Sequence, residues 1–170
     1  MKKKAAIGID PGVSGAVACI SEDEPPKVTP WTTTADASAV LRDWAWQHGG
    51  AFALLEKVHA MPGQGVSSTF KLGVNYGEWR GLLTSLGIPF EVVTPLTWQR
   101  AMSCQTKGDK NVSKRRAQEL FPSLKITHRT ADALLIAEYN WRHSRGTPGG
   151  KARTRPVLRL QRAERRALLL

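Results

Sequence analysis

At 170 residues, with 41% hydrophobic and 23% charged side chains, the chain has the composition of one globular domain large enough to bury a core, and its length rules out a multidomain machine. Twenty-five Lys and Arg against 14 Asp and Glu give a formal net charge of +11, which points to a polyanion as partner. Cys19 and Cys104 are too few for a disulfide framework or a Cys-based zinc site, so a reducing compartment is expected. No apolar run reaches the ~18 residues that a membrane span needs. Asp10, Pro11 and Gly12 interrupt the only stretch that follows the Met1-Lys2-Lys3-Lys4 start, so a signal peptide is not expected.

In chain order, Lys4 to Asp10 is a short apolar run ending in an acid and reads as a buried strand. The turn Gly12-Val13-Ser14-Gly15 leads into a second strand, Ala16 to Ser21, so the pair reads as a hairpin. Val28 to Thr32 is a candidate third strand. Ala35 to Gln47 has Val40, Leu41, Trp44 and Ala45 at helical spacing and stops at Gly49-Gly50. Ala51 to Glu56 is a second apolar run ending in an acid. A loop at Pro62-Gly-Gln-Gly65 precedes a long helix, Ser67 to Leu86, ended by Gly87. Phe90 to Val93 is a strand, Pro95 opens a short helical piece around Trp98, Asn111 to Phe121 is a basic helix stopped by Pro122, and Arg129 to Trp141 is the last core helix. The order is β-β-β-α-β-α-β-α-α, a mixed α/β domain in which a hairpin feeds a partly parallel sheet.

The charge is uneven. From Arg142 onward the chain carries nine basic residues against the single acid Glu164. The expected division is a domain over residues 1–142 and a basic tail over 143–170, with a linker from His143 to Gly150. Such a tail is either a solvated end, an extra electrostatic grip on phosphates, or a short amphipathic helix built on Leu158, Leu160 and Leu168 to Leu170; the grip on nucleic acid fits the rest of the chain best.

Four residues carry the chemistry. Asp10 and Glu56 each end a buried strand, where an uncompensated carboxylate is expensive. If the two strands are parallel neighbours, both acids emerge at the sheet edge where α/β proteins place their sites. His128 and Asp132 stand at i, i+4 on the last helix and share a face. Three carboxylates and one imidazole suit Mg²⁺ or Mn²⁺ better than zinc, and two such ions can activate water and stabilise a leaving phosphodiester oxygen. Each residue also has an ordinary role: Asp10 capping a turn, Glu56 pairing with Lys57, Asp132 facing the helix dipole, His128 exposed on a surface.

The motifs resemble those of RuvC-type Holliday-junction resolvases, in the phage and organellar branch. They are Ile7-Gly-Ile-Asp10-Pro-Gly-Val-Ser-Gly-Ala16; Leu54-Leu-Glu56-Lys-Val with Met61-Pro-Gly-Gln-Gly-Val-Ser-Ser68 and Phe70-Lys-Leu-Gly73; Val93-Thr-Pro-Leu-Thr-Trp-Gln99; Asp109-Lys-Asn-Val-Ser-Lys114 with Leu120-Phe-Pro122; and Ala131-Asp-Ala-Leu-Leu-Ile-Ala137. The match spans residues 4–141 in order. The resemblance implies an RNase H-like fold, a mixed five-stranded sheet flanked by helices. It implies a homodimer that makes paired nicks in four-way DNA junctions with two Mg²⁺ ions per site, Mn²⁺ also serving. A strand predicted from residue 4 leaves no visible transit peptide, so the cytoplasm of a bacterium or a phage-infected host is the expected setting. Asp10, Glu56 and Asp132 then become the metal-binding acids, with His128 where the branch usually has an acid; an imidazole ligand favours Mn²⁺ and fails at low pH.

In that frame Gln64, Ser67 and Phe70 face the junction, Phe70 either stacking on a base or packing in the core. Lys107, Lys110, Lys114 and Arg115 are expected to contact phosphates, with Lys107 or Lys110 near the scissile one. Gly73, Gly77 and Gly81 line one helix face and suit close approach of another backbone, from a partner subunit or from this chain's own core. The six tryptophans read as core and capping residues. Three rivals remain: an actin-like ATPase, for which the chain is short and lacks a second phosphate hairpin; a non-catalytic junction binder; and an RNase H-like nuclease acting on RNA.

Overall fold

The structure, a computed structural model, describes residues 5–59, 63, 65–105 and 108–145. Three strands, β1 (Ala5–Asp10), β2 (Ala16–Ile20) and β3 (Lys27–Pro30), form an antiparallel meander. β4 (Ala51–Glu56) and β5 (Phe90–Val93) extend it in parallel, giving the sheet order β3-β2-β1-β4-β5. The helices are α1 (Thr34–Gln47), α2 (Val66–Ser85), α3 (Pro95–Ala101), α4 (Lys110–Leu120) and α5 (His128–Arg145). The expected mixed five-stranded sheet flanked by helices is present, and β1 and β4 are parallel neighbours.

β1 is the central strand, so its run of small and branched residues is covered on both faces. Alternation assigns the faces. Ile7 and Ile9 pack with Val17, Cys19, Ala53 and Leu55 against Leu41 and Trp44 of α1 and Trp79 and Leu83 of α2. The opposite face carries Ala16, Ala18, Ile20 and Leu54 against Trp98, Ala117 and the α5 residues Ala133 to Ala137. Gly8 belongs to this second face: a Cβ there would land within 3.0 Å of the backbone of Ala133 and Ala137, so α5 lies directly on the strand. Asn140 of α5 ties the layers together, donating to Ile7 O at 2.9 Å and to Phe52 O at 2.8 Å.

Two boundaries differ from the sequence reading in ways that have physical causes. β3 covers Lys27–Pro30 where Val28 to Thr32 was expected: its ladder closes at Pro30 opposite Ala16, and Trp31 N, donating to Gly15 O at 2.9 Å, makes the last rung at the turn where β2 begins. α5 runs through Arg145, past the expected domain end at residue 142, so the first three residues of the expected linker are helical. The extra turn is held by Arg142 Nε donating to Glu138 Oε1 at 2.7 Å and by His143 on Tyr139 O at 2.8 Å. The rest of the basic tail, residues 146–170, lies outside the described residues. Among the described residues no helix is long and apolar enough to cross a membrane.

Candidate active site

The parity of the sheet brings the acids together. In the β1/β4 ladder Ile9 pairs with Leu55, so Asp10 and Glu56 are the next residues of two parallel neighbours. Each lies two steps beyond a residue that faces α5, Gly8 and Leu54 respectively, and both therefore leave the sheet on the α5 side. Asp132 is on the first turns of α5, and His128 sits one turn before it at the start of that helix. The three carboxylates are half-buried and His128 is exposed.

They sense one another's charge. Burial first, then Glu56 and Asp132, pushes the Asp10 carboxyl well above the usual carboxylate range, against the pull of Lys110. Burial also pushes Glu56 up to about 7; the indole N–H of Trp98 works against this and Asp132 adds to it. Asp132 is raised by burial and eased by Ser113, Lys110 and His128. Among the described residues, however, Asp132 Oδ1 and Ser113 Oγ are both buried without a hydrogen-bond partner, so Ser113 acts on the carboxylate as a nearby dipole.

Among the described residues no three His, Cys, Asp or Glu side chains close into a finished metal cage. The donor set nevertheless fits a hard divalent cation. Buried like-charged carboxylates and an orphaned Oδ1 are the features that such an ion relieves.

Three further residues shape this pocket. Trp98, fully buried, donates from Nε1 to Glu56 Oε1 at 2.8 Å, so Glu56 takes an indole N–H rather than pairing with Lys57. The sequence reading of the tryptophans as core and capping residues holds for it, and nothing local signals the donor role. Ser113 of α4 is buried against Asp132. Lys110, at the first position of α4 after the cap Asp109, is the cation that both Asp10 and Asp132 feel.

Of the residues expected to meet nucleic acid, Lys110 and Arg115 are exposed on α4 and Lys114 is half-exposed. Arg116 is committed elsewhere, to Met102 O at 2.9 Å and Glu119 at 3.0 Å. Ser67 is exposed and Phe70 is 72% exposed, which settles against a core role for Phe70. Gly73, Gly77 and Gly81 have no described atom beyond their own helix within 4 Å of a Cβ position, so the described core does not use that face. Gln64 and Lys107 lie outside the described residues. Trp31, Trp44, Trp79, Trp98 and Trp141 are buried or half-buried as expected, but Trp46 is 82% exposed on α1.

The sheet order, the strand directions and the acids at the ends of β1 and β4 define an RNase H-like fold. Among solved structures the chain is similar to RuvC from Thermus thermophilus, both free (15% identity, TM-score 0.59, covering 83% of this chain and 95% of that one) and in complex with a Holliday junction substrate (14%, 0.58, 84% and 95%). It is also similar to the yeast mitochondrial Holliday junction resolvase Ydc2 (16%, 0.49, 80% and 77%). No protein-family model matches the sequence, and no curated protein matches it. The likeness is thus one of fold.

Proposed function

We propose that this protein is a metal-dependent, structure-selective DNA endonuclease that resolves four-way junctions by paired symmetric nicks, acting as a homodimer. One observation carries the reading: Asp10 and Glu56 at the ends of two parallel strands come within electrostatic range of one another and of Asp132 on α5, whose buried Oδ1 has no partner among the described residues. Asp10, Glu56, Asp132 and His128 would hold Mg²⁺, two per site, or Mn²⁺, which when bound supplies water activation and charge stabilisation at the leaving oxygen.

The chain's own residues do the rest. Trp98 fixes one Glu56 oxygen and leaves the other to the pocket. Lys110 offers positive charge beside the acids, where a scissile phosphate would sit. Lys114 and Arg115 supply phosphate affinity without sequence preference, which falls with salt. Phe70 and Ser67, exposed at the start of α2, would meet unstacked bases. The fold likeness to a RuvC solved on a Holliday junction supports a junction as substrate, and the open face of α2 leaves room for a second subunit.

The test is cleavage of a labelled four-way junction, a duplex and an RNA–DNA hybrid in Mg²⁺, Mn²⁺ or EDTA. Paired, metal-dependent nicks confined to the junction are expected. Tight junction binding without cleavage would make the protein a binding module, and preferential cutting of the hybrid would overturn the substrate.

Trp98→Phe keeps an aromatic ring in the core and removes only the N–H. Losing a hydrogen bond to a charged group costs about 1.5–3 kcal/mol, and here that loss holds the proton on Glu56 more tightly. The acid limb of the pH–rate profile is expected to move upward, so that nicking drops at least about tenfold at neutral pH and recovers in alkaline buffer. A profile identical to wild type would remove Trp98 from the site.

A further inference from the structure

The turn after Asp10 is seated on α2 by a polar anchor that the proposed chemistry does not yet use. Gly12 N donates to Asn75 Oδ1 at 2.6 Å, and Asn75 is 2% exposed in the middle of α2. A backbone amide only donates, so the carboxamide orientation is fixed: Oδ1 faces Gly12 and Nδ2 faces Glu78 Oε2, at 3.5 Å. Glu78 in turn accepts from Thr34 Oγ1 of α1 at 2.8 Å. The turn itself is tight against the acid. Gly15 N donates to Gly12 O at 2.9 Å, and a Cβ on Gly15 would lie within 3.0 Å of the Asp10 carbonyl. Any shift of Gly12 therefore moves Asp10.

On its other side the turn is held by Trp31 N, which donates to Gly15 O at 2.9 Å, and by the exposed Arg129, which donates to Val13 O at 3.3 Å and Trp31 O at 3.0 Å. A solvated guanidinium contact is readily exchanged for water, whereas a buried amide that loses its acceptor has no substitute.

We infer that Asn75 is a positioning residue: it fixes the β1–β2 turn on α2 and so sets Asp10 for cation binding. This rests on the proposed metal-dependent reading of the site. It also gives α2 a second task, since the helix that displays Phe70 at its start holds the metal acid from its middle.

The test uses the full chain and Mn²⁺ as probe, with bound ion read from the free-Mn²⁺ EPR signal and junction affinity measured separately in EDTA. Asn75→Leu, which removes the acceptor and excludes water, is expected to weaken Mn²⁺ binding by about tenfold or more and leave junction affinity unchanged. Asn75→Ala, a better helix former, serves if the leucine variant does not fold. The double variant Asn75→Asp with Glu78→Gln exchanges carboxylate and amide while keeping each hydrogen bond, and it is expected to restore wild-type Mn²⁺ affinity.

A folded Asn75→Leu or Asn75→Ala variant that binds Mn²⁺ like wild type overturns the inference, as does a folded double variant that remains impaired. Wild-type protein that binds Mn²⁺ but leaves every junction intact overturns the nuclease reading alone, and the Asn75 comparison still decides this one. Wild-type protein that binds no Mn²⁺ overturns both.

Discussion

Asp10→Asn is expected to abolish strand cleavage and, in the same protein, to raise the melting temperature measured without metal. Both follow from the cost of the native carboxylate. Burial and the neighbouring Glu56 and Asp132 hold the Asp10 carboxyl far above its ordinary range, so its ionised form is disfavoured in the folded state. Asparagine keeps the shape and removes the charge. The variant should therefore melt above wild type in EDTA, and the difference should be largest where the carboxyl is ionised.

The sign can be checked with pH. Glu56 titrates at about 7 in the folded chain against 4.5 as its ordinary value. Between those values the folded state holds more protons than the unfolded one, so stability falls as pH rises through the window and the full penalty is present above it. Metal-free wild type should therefore melt higher at pH 5 than at pH 8, and added Mg²⁺ or Mn²⁺ should stabilise it most at the higher pH, where no proton competes. Asp10→Asn should flatten both trends. A variant that melts below wild type in EDTA at pH 8 would mean that the acids are not the strained cluster described here.

Gly8→Ala is the second large effect. A methyl group at Gly8 meets backbone atoms of α5, which cannot rotate away as a side chain would. Overpacking of this kind costs about 3 kcal/mol or more, equivalent to roughly 10 °C in Tm. Lifting α5 from β1 also separates Asp132 from Asp10, so metal binding should weaken even in the fraction that folds. Gly77→Ala is the matched control. No described atom beyond its own helix lies within 4 Å of its Cβ position, and alanine favours the helix by about 1 kcal/mol. It should be neutral or stabilising; if junction binding or self-association falls while Tm rises, the open face of α2 belongs to a partner.

The sheet and its acids were legible because strands announce themselves twice. An apolar run of strand length ending in an acid predicts both the element and the place where its last side chain emerges, as at Asp10 and Glu56. The register that puts both on one face then follows from parallel pairing. Asp132 was marked by the motif around it rather than by any local cost. Trp98 and Asn75 were not legible. An indole N–H finds Glu56 only once α3 has docked, and an asparagine inside a helix looks like a poor helix former until the turn it holds is in view. Exposure of Phe70 was likewise undecidable from spacing, because which side of α2 is buried depends on where β1 and α1 lie.

The direct seating of α5 on Gly8 has a consequence for how the protein comes into being. The central strand is made first and its cover last, more than 100 residues later. At roughly 5–20 residues per second, a nascent chain carries one uncovered face of that strand for on the order of ten seconds. Asp132 arrives on the same late helix. The candidate pocket is therefore finished only when the core is closed, and a chain that ends before α5 lacks both Asp132 and the cover of Gly8.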